Sequence, residues 1–129
     1  MPGRILLDTN IVIALFEGEK NVVQNIGDTR EVFVSSVVLG ELYYGAQKSS
    51  RVSENLDRLD DFALTTSVVF TDTDTARQYG QLKEELRRIG SFIPENDIWI
   101  AAHTRQHSFS LASRDEHFNV VAGIDLLMW

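Results

Sequence analysis

The chain has 129 residues, 43% of them hydrophobic, with two prolines, no cysteine and a formal charge of −7. Such a length and apolar content suit one domain spanning 1–129 with a core of its own, and the missing cysteine excludes disulfides, thiol catalysis and cysteine-ligated zinc. No apolar run approaches the roughly 20 residues of a membrane helix, and a single Arg4 before a very short apolar stretch makes no signal peptide, so a cytoplasmic protein without membrane contact is expected.

Short apolar runs alternate with helix-period segments along the whole chain, the pattern of an α/β fold with a parallel sheet and crossover helices. The first strand falls at 4–7, followed by helices at 11–16 and 21–26 and a second strand at 32–35. A helix at 37–47 precedes another at 52–64, where Val52, Leu56, Leu59, Phe62 and Ala63 make one apolar stripe. A strand at 68–70 leads to a helix at 75–89, whose stripe of Ala76, Tyr79, Leu82, Leu86 and Ile89 stops at Gly90, a natural helix end. The last helix spans 95–106, a strand follows at 109–112, and a weaker strand lies near 120–122 or at the C-terminus. All-apolar strands imply a sheet covered on both faces.

Four carboxylates interrupt this pattern. Asp8 ends the run Ile5-Leu6-Leu7, Glu41 sits within Val37 to Tyr44, Asp97 opens Ile98-Trp99-Ile100-Ala101-Ala102, and Asp115 closes the run from Phe109. Acids gathered in a partly dry place repel one another and need a cation or protons. Ligands of an open parallel sheet bind beyond the carboxyl ends of its strands, where both Asp8 and Asp115 fall, so the two can be neighbours. Hard oxygen donors point to Mg2+ or Mn2+, whose usual work is to bridge phosphate oxygens and activate a water.

Each acid has a plainer reading. Asp8 and Asp115 suit helix caps, and Asp97 suits a helix first turn. Glu41 is harder to explain, since its neighbours are apolar and no base lies at helical spacing. His103 and His107, four residues apart, read better as solvated cations near a helix end than as ligands. Asp72 and Asp74 read as helix caps; Asp57, Asp60 and Asp61 form a solvated face. Lys83, Arg87 and Arg88 can meet phosphates, although Glu84 to Arg88 is an ordinary helical pair, and Trp99 reads as core. The net charge argues against passive binding to nucleic acid. With four of the 19 acids set aside as ligands, however, 15 remain against 12 bases, a mildly acidic surface.

The segments LLDTN (6–10), SSVVLGELYYG (35–45), ENDIWIAAH (95–103) and SRDEHF (113–118) resemble, in order and spacing, the four motifs of the PIN-domain ribonucleases, above all the VapC toxins of bacterial toxin–antitoxin pairs. The resemblance covers essentially the whole chain. It implies a three-layer α/β/α fold with a short central parallel sheet, Mg2+- or Mn2+-dependent endoribonuclease activity on RNA, a homodimer, and a cognate antitoxin that inserts a basic side chain into the acidic pocket. On this likeness Asp8, Glu41, Asp97 and Asp115 are the catalytic, metal-holding quartet. Thr9, Asn10 and Ser113 are its polar supports, with Ser113 where many relatives carry Thr. Three rivals remain: a haloacid-dehalogenase-type phosphotransferase, disfavoured because Asn10 stands where that chemistry needs a second Asp; an RNA-processing nuclease without a toxin role; and a non-enzymatic binding module with a degenerate site.

Overall fold

A computed structural model describes residues 3–129. Its centre is β1 (Arg4–Leu7), where Ile5, Leu6 and Leu7 are all fully buried in succession. Consecutive burial requires cover on both sides of the strand, which is how a parallel sheet reads. After β1 come α1 (Thr9–Phe16) and α2 (Lys20–Gly27), then β2 (Glu31–Ser35). Next are α3 (Ser36–Gln47), α4 (Val52–Thr65) and β3 (Ser67–Val69), followed by α5 (Thr73–Arg88), α6 (Glu95–His107) and β4 (Ser110–Ser113). A 3-10 turn (Glu116–Val120) and β5 (Asp125–Met128) finish the chain.

The five strands are parallel in the order β3-β2-β1-β4-β5, with Leu6 beside Phe33 on one side and Leu111 on the other. From β1 the chain steps outward to β2 and β3, then returns across the sheet to β4. Right-handed crossovers therefore put α1 to α4 on one face and α5 and α6 on the opposite face, the expected three layers. They also make the gap between the carboxyl ends of β1 and β4 the topological switch point, where the connections leave in opposite directions and a crevice opens.

Helix ends follow local chemistry. Asp8 accepts from the Thr9 N–H and starts α1 at residue 9, two residues ahead of the first periodic apolar position. Asp72 and Thr75 form a capping box that starts α5, while Asp74 sits in its first turn. Gly90, at φ 69°, ends α5: its N–H donates to Arg87 O and the Ser91 N–H to Leu86 O, the paired bonds of a left-handed helix stop. Ile89 accordingly falls past the helix and is 62% exposed, outside the stripe expected for it.

Of two other expectations, one is resolved and one corrected. The weak final strand takes the second of its two expected places, the C-terminus, at Asp125–Met128; residues 116–120 form the 3-10 turn, which buries Phe118, and Gly123 at φ 77° redirects the chain to pair beside β4. His103 is not solvated. It is fully buried in α6 with Thr71 Oγ1 3.3 Å from Nε2, and burial holds its pKa below the usual histidine value. Trp99 is half-buried and stacks on Tyr79, ring centres 4.0 Å apart. Lys83 pairs with Glu95 at 2.7 Å, and Arg87 and Arg88 both engage Glu84, so all three bases are already partnered.

Candidate metal centre

The switch-point crevice collects side chains from four separate elements. Asp8 follows β1 and is 4% exposed. Its backbone N–H continues the sheet to Ala112 O at 2.9 Å, which places its carboxylate directly against the end of β4. There the fully buried Ser113 donates its hydroxyl to Asp8 Oδ2 at 2.7 Å and accepts the Asp115 N–H at 2.9 Å. One hydroxyl thus sets the spacing of two acids that lie more than a hundred residues apart in the chain. Asn10 donates to Asp8 Oδ2 at 3.4 Å and accepts the Arg114 N–H at 3.2 Å, tying the same two loops a second time. Arg114 in turn grips Glu19 through both terminal nitrogens, at 3.1 and 2.8 Å, and donates from Nε to Trp129 O.

Glu41 reaches the crevice from α3 and Asp97 from the first turn of α6. Glu41 Oε1 is buried with no hydrogen-bond partner among the described residues, and so is Thr9 Oγ1 beside it. Orphaned polar atoms of this kind are costly, and a carboxylate oxygen left so is a ready ligand. Burial raises the Glu41 pKa, the Asp8 charge raises it further, and the nearby Thr9 hydroxyl pulls the other way. Asp8 is also raised, by burial first and by Asp115 last, against the hydrogen bonds from Ser113 and Thr9. Asp97 is pushed up to about 6 by burial and then by Asp8, Asp115 and Glu41, with His117 opposing. All four sequence-predicted acids therefore share one electrostatic neighbourhood, and the three expected polar supports line it.

One residue was missed. His117, in the 3-10 turn, brings Nδ1 to 3.0 Å from Asp115 Oδ1 and 3.5 Å from Asp97 Oδ2, and donor atoms of the three lie within 4.8 Å of one another. The sequence held a hint, a histidine two residues after a strand-end acid. The distance to Asp97 depends on how α6 packs against the turn, which no local spacing encodes.

The donor set fits a divalent cation: four carboxylates, one with an orphaned oxygen, in a partly dry crevice whose mutual repulsion a 2+ charge would relieve. Two open grooves leave the crevice. One, of about 720 Å3, runs past Asn10, Arg114, Asp115 and His117 to Phe92; the other, of about 540 Å3, runs past Glu41, Asn96 and Trp99 to Tyr44. A third, apolar groove of about 260 Å3 opens on Thr9 and Glu41 between Ile13, Phe16, Leu42 and Leu59.

A parallel sheet with acids from four elements at its switch point defines the class, and the chain belongs to the PIN-domain family, which matches residues 5–124. Among its relatives, Ribonuclease VapC2 of Haemophilus influenzae is 36% identical over 117 residues, 87% of this chain and 86% of the relative. The tRNA(fMet)-specific endonuclease VapC of Shigella flexneri is 30% identical over 129 residues, 98% of each chain. The crystal structure of VapBC2 from Rickettsia felis, bound to a DNA fragment from its promoter, superposes with a TM-score of 0.89 at 27% identity, covering 98% of both chains.

Proposed function

We propose that this chain is the endoribonuclease toxin of a toxin–antitoxin pair and hydrolyses RNA phosphodiester bonds, with Asp8, Glu41, Asp97 and Asp115 holding Mg2+ or Mn2+. The observation that carries the site assignment is the convergence of these four acids, with Glu41 Oε1 orphaned and Asp97 pushed up to about 6. A bound divalent ion would lower the pKa of a water and offset charge developing on the scissile phosphate. The protein's own part is to fix the ligands. Ser113 and Asn10 hold Asp8 and the Asp115 loop in register, and the first turn of α6 presents Asp97.

The two grooves that flank the acids give an unpaired RNA strand a path on either side of the reacting phosphate, which suits single-stranded loops better than a duplex. The relatives' names support the ribonuclease reading, and the Rickettsia complex supports an antitoxin partner. The apolar groove opening on Glu41 would seat an antitoxin segment and let a basic side chain reach the acids. The full reading is one nuclease domain over 1–129, acting as a homodimer in the cytoplasm; no helix of the described residues is long and apolar enough to cross a membrane.

The test is cleavage of purified total RNA and a tRNA panel, initiator tRNA included because of the Shigella relative, with Mg2+, Mn2+ or EDTA, beside Asp97→Asn. Discrete metal-dependent fragments absent from the variant support the proposal. Undiminished cleavage by the variant removes Asp97 from the chemistry, and metal binding without cleavage of any RNA rejects the nuclease.

A further inference from the structure

We propose that His117 is a nitrogen ligand of the metal held by Asp97 and Asp115, and that this donor shifts the site's preference from Mg2+ toward Mn2+. The inference rests on the reading of the acidic crevice as a metal centre and deepens it. Nδ1 of His117 stands 3.0 Å from Asp115 Oδ1 and 3.5 Å from Asp97 Oδ2. Donors on adjacent corners of an octahedron with bonds of roughly 2.1 Å stand about 3 Å apart. The two distances from Nδ1 are thus near that spacing, and donor atoms of all three residues lie within 4.8 Å of one another.

The ring is held there rather than drifting over the surface. The His117 backbone N–H donates to Asp115 Oδ1 at 2.9 Å and ring Nδ1 lies 3.2 Å from Asp115 Oδ2, while Asp115 is itself fixed by its backbone N–H to Ser113 Oγ. The next residue, Phe118, is 1% exposed and anchors the turn in the core. A simple surface ion pair needs one carboxylate; this nitrogen meets two, from different elements, and both belong to the quartet.

The chemistry of the donor decides the selectivity. Mg2+ favours oxygen ligands and keeps its waters, whereas Mn2+ stands ahead of it in accepting imidazole. A neutral imidazole also completes a ligand shell without adding a further negative charge to a crevice that already holds four acids. The opposite wall, Asp8 with Glu41 Oε1, offers oxygen alone, so the nitrogen makes the Asp97–Asp115 side the Mn2+-selective one.

The experiment uses the full chain loaded with Mn2+ and reads, by pulsed electron paramagnetic resonance, the nitrogen coupling of a directly bound imidazole, alongside calorimetric titration with Mn2+ and with Mg2+. The coupling should be present in the parent and in His107→Gln and absent in His117→Gln. The Mn2+/Mg2+ affinity ratio should fall about tenfold in that variant, with its metal-free melting temperature unchanged as the check on folding. Bound Mn2+ without nitrogen coupling in the parent, or an unchanged ratio in His117→Gln, overturns the inference. Should Mn2+ fail to bind, or bind equally well to Asp97→Asn, the metal-centre reading itself fails and takes this inference with it; binding that needs Asp97 but ignores His117 overturns the inference alone.

Discussion

Replacing Asp97 by asparagine should make the metal-free protein more stable at neutral and alkaline pH while destroying its response to divalent ions. The Asp97 carboxyl, ordinarily at 3.8, is pushed up to about 6 in the fold. Its folded-state pKa lies above the unfolded value, so the stability it contributes is fully present below pH 3.8 and is lost as pH rises through about 6. At about 1.4 kcal/mol per tenfold, that gap is on the order of 3 kcal/mol, and water at the open mouth of the crevice screens it to about 2 kcal/mol. Asparagine keeps the shape and drops the charge, but it gives up about 0.5 kcal/mol of attraction between a carboxylate and the N-terminus of α6. The net gain at pH 8 is therefore about 1 to 2 kcal/mol, a rise of roughly 3 to 8 °C in melting temperature for a chain of this size. Paired thermal melts in EDTA at pH 5 and pH 8 measure it. The difference should open between these two values, because that interval contains the folded-state pKa. A variant that melts at or below the parent at pH 8, or a difference indifferent to pH, would refute the charge-repulsion argument.

Saturating Mn2+ or Mg2+ should raise the parent's melting temperature at pH 8, by about 2.7 kcal/mol of stability at one hundred times the dissociation constant; Asp97→Asn should show no such rise, and equal rises in both would put the ion elsewhere. Ser113→Ala removes the buried hydroxyl shared by Asp8 and the Asp115 loop. It should cost about 1 to 3 kcal/mol in urea titration and sharply lower RNA cleavage, whereas Ser113→Thr keeps both bonds; equal behaviour of the two variants would show that the hydroxyl does not set the spacing. Asp72→Ala breaks the capping box of α5 and leaves Gln106 Nε2 without its acceptor, so it should lower the urea midpoint with cleavage intact, and a drop in cleavage beyond the loss of folded protein would count against a purely structural role.

What could be read from the chain alone is what local pattern encodes. Ile5 to Leu7 and Leu111 to Ala112 are apolar without alternation, which already requires strands covered on both faces. The stripe through Leu82 and Leu86 ends at Gly90 because only glycine takes that left-handed turn cheaply. Asp8 and Asp115, coming just after strand runs, could be placed at one end of a parallel sheet, and Glu41 stood out as an acid without a local partner. The motif likeness then joined four acids that periodicity by itself could not.

The tertiary structure decided everything that depends on which distant surfaces bury one another. Strand order sets the switch point, and the β1–β4 pairing lets one Ser113 hydroxyl serve two acids. Packing of α6 made His103 a buried histidine rather than a solvated one, and it brought Asp97 within reach of His117. The last strand formed at Asp125–Met128 because a free edge of β4 was there to pair with, not because its own residues demanded it. Periodicity reports how a segment presents its faces; which partner covers each face is a property of the assembled chain, and the spacing of the four acids is set there.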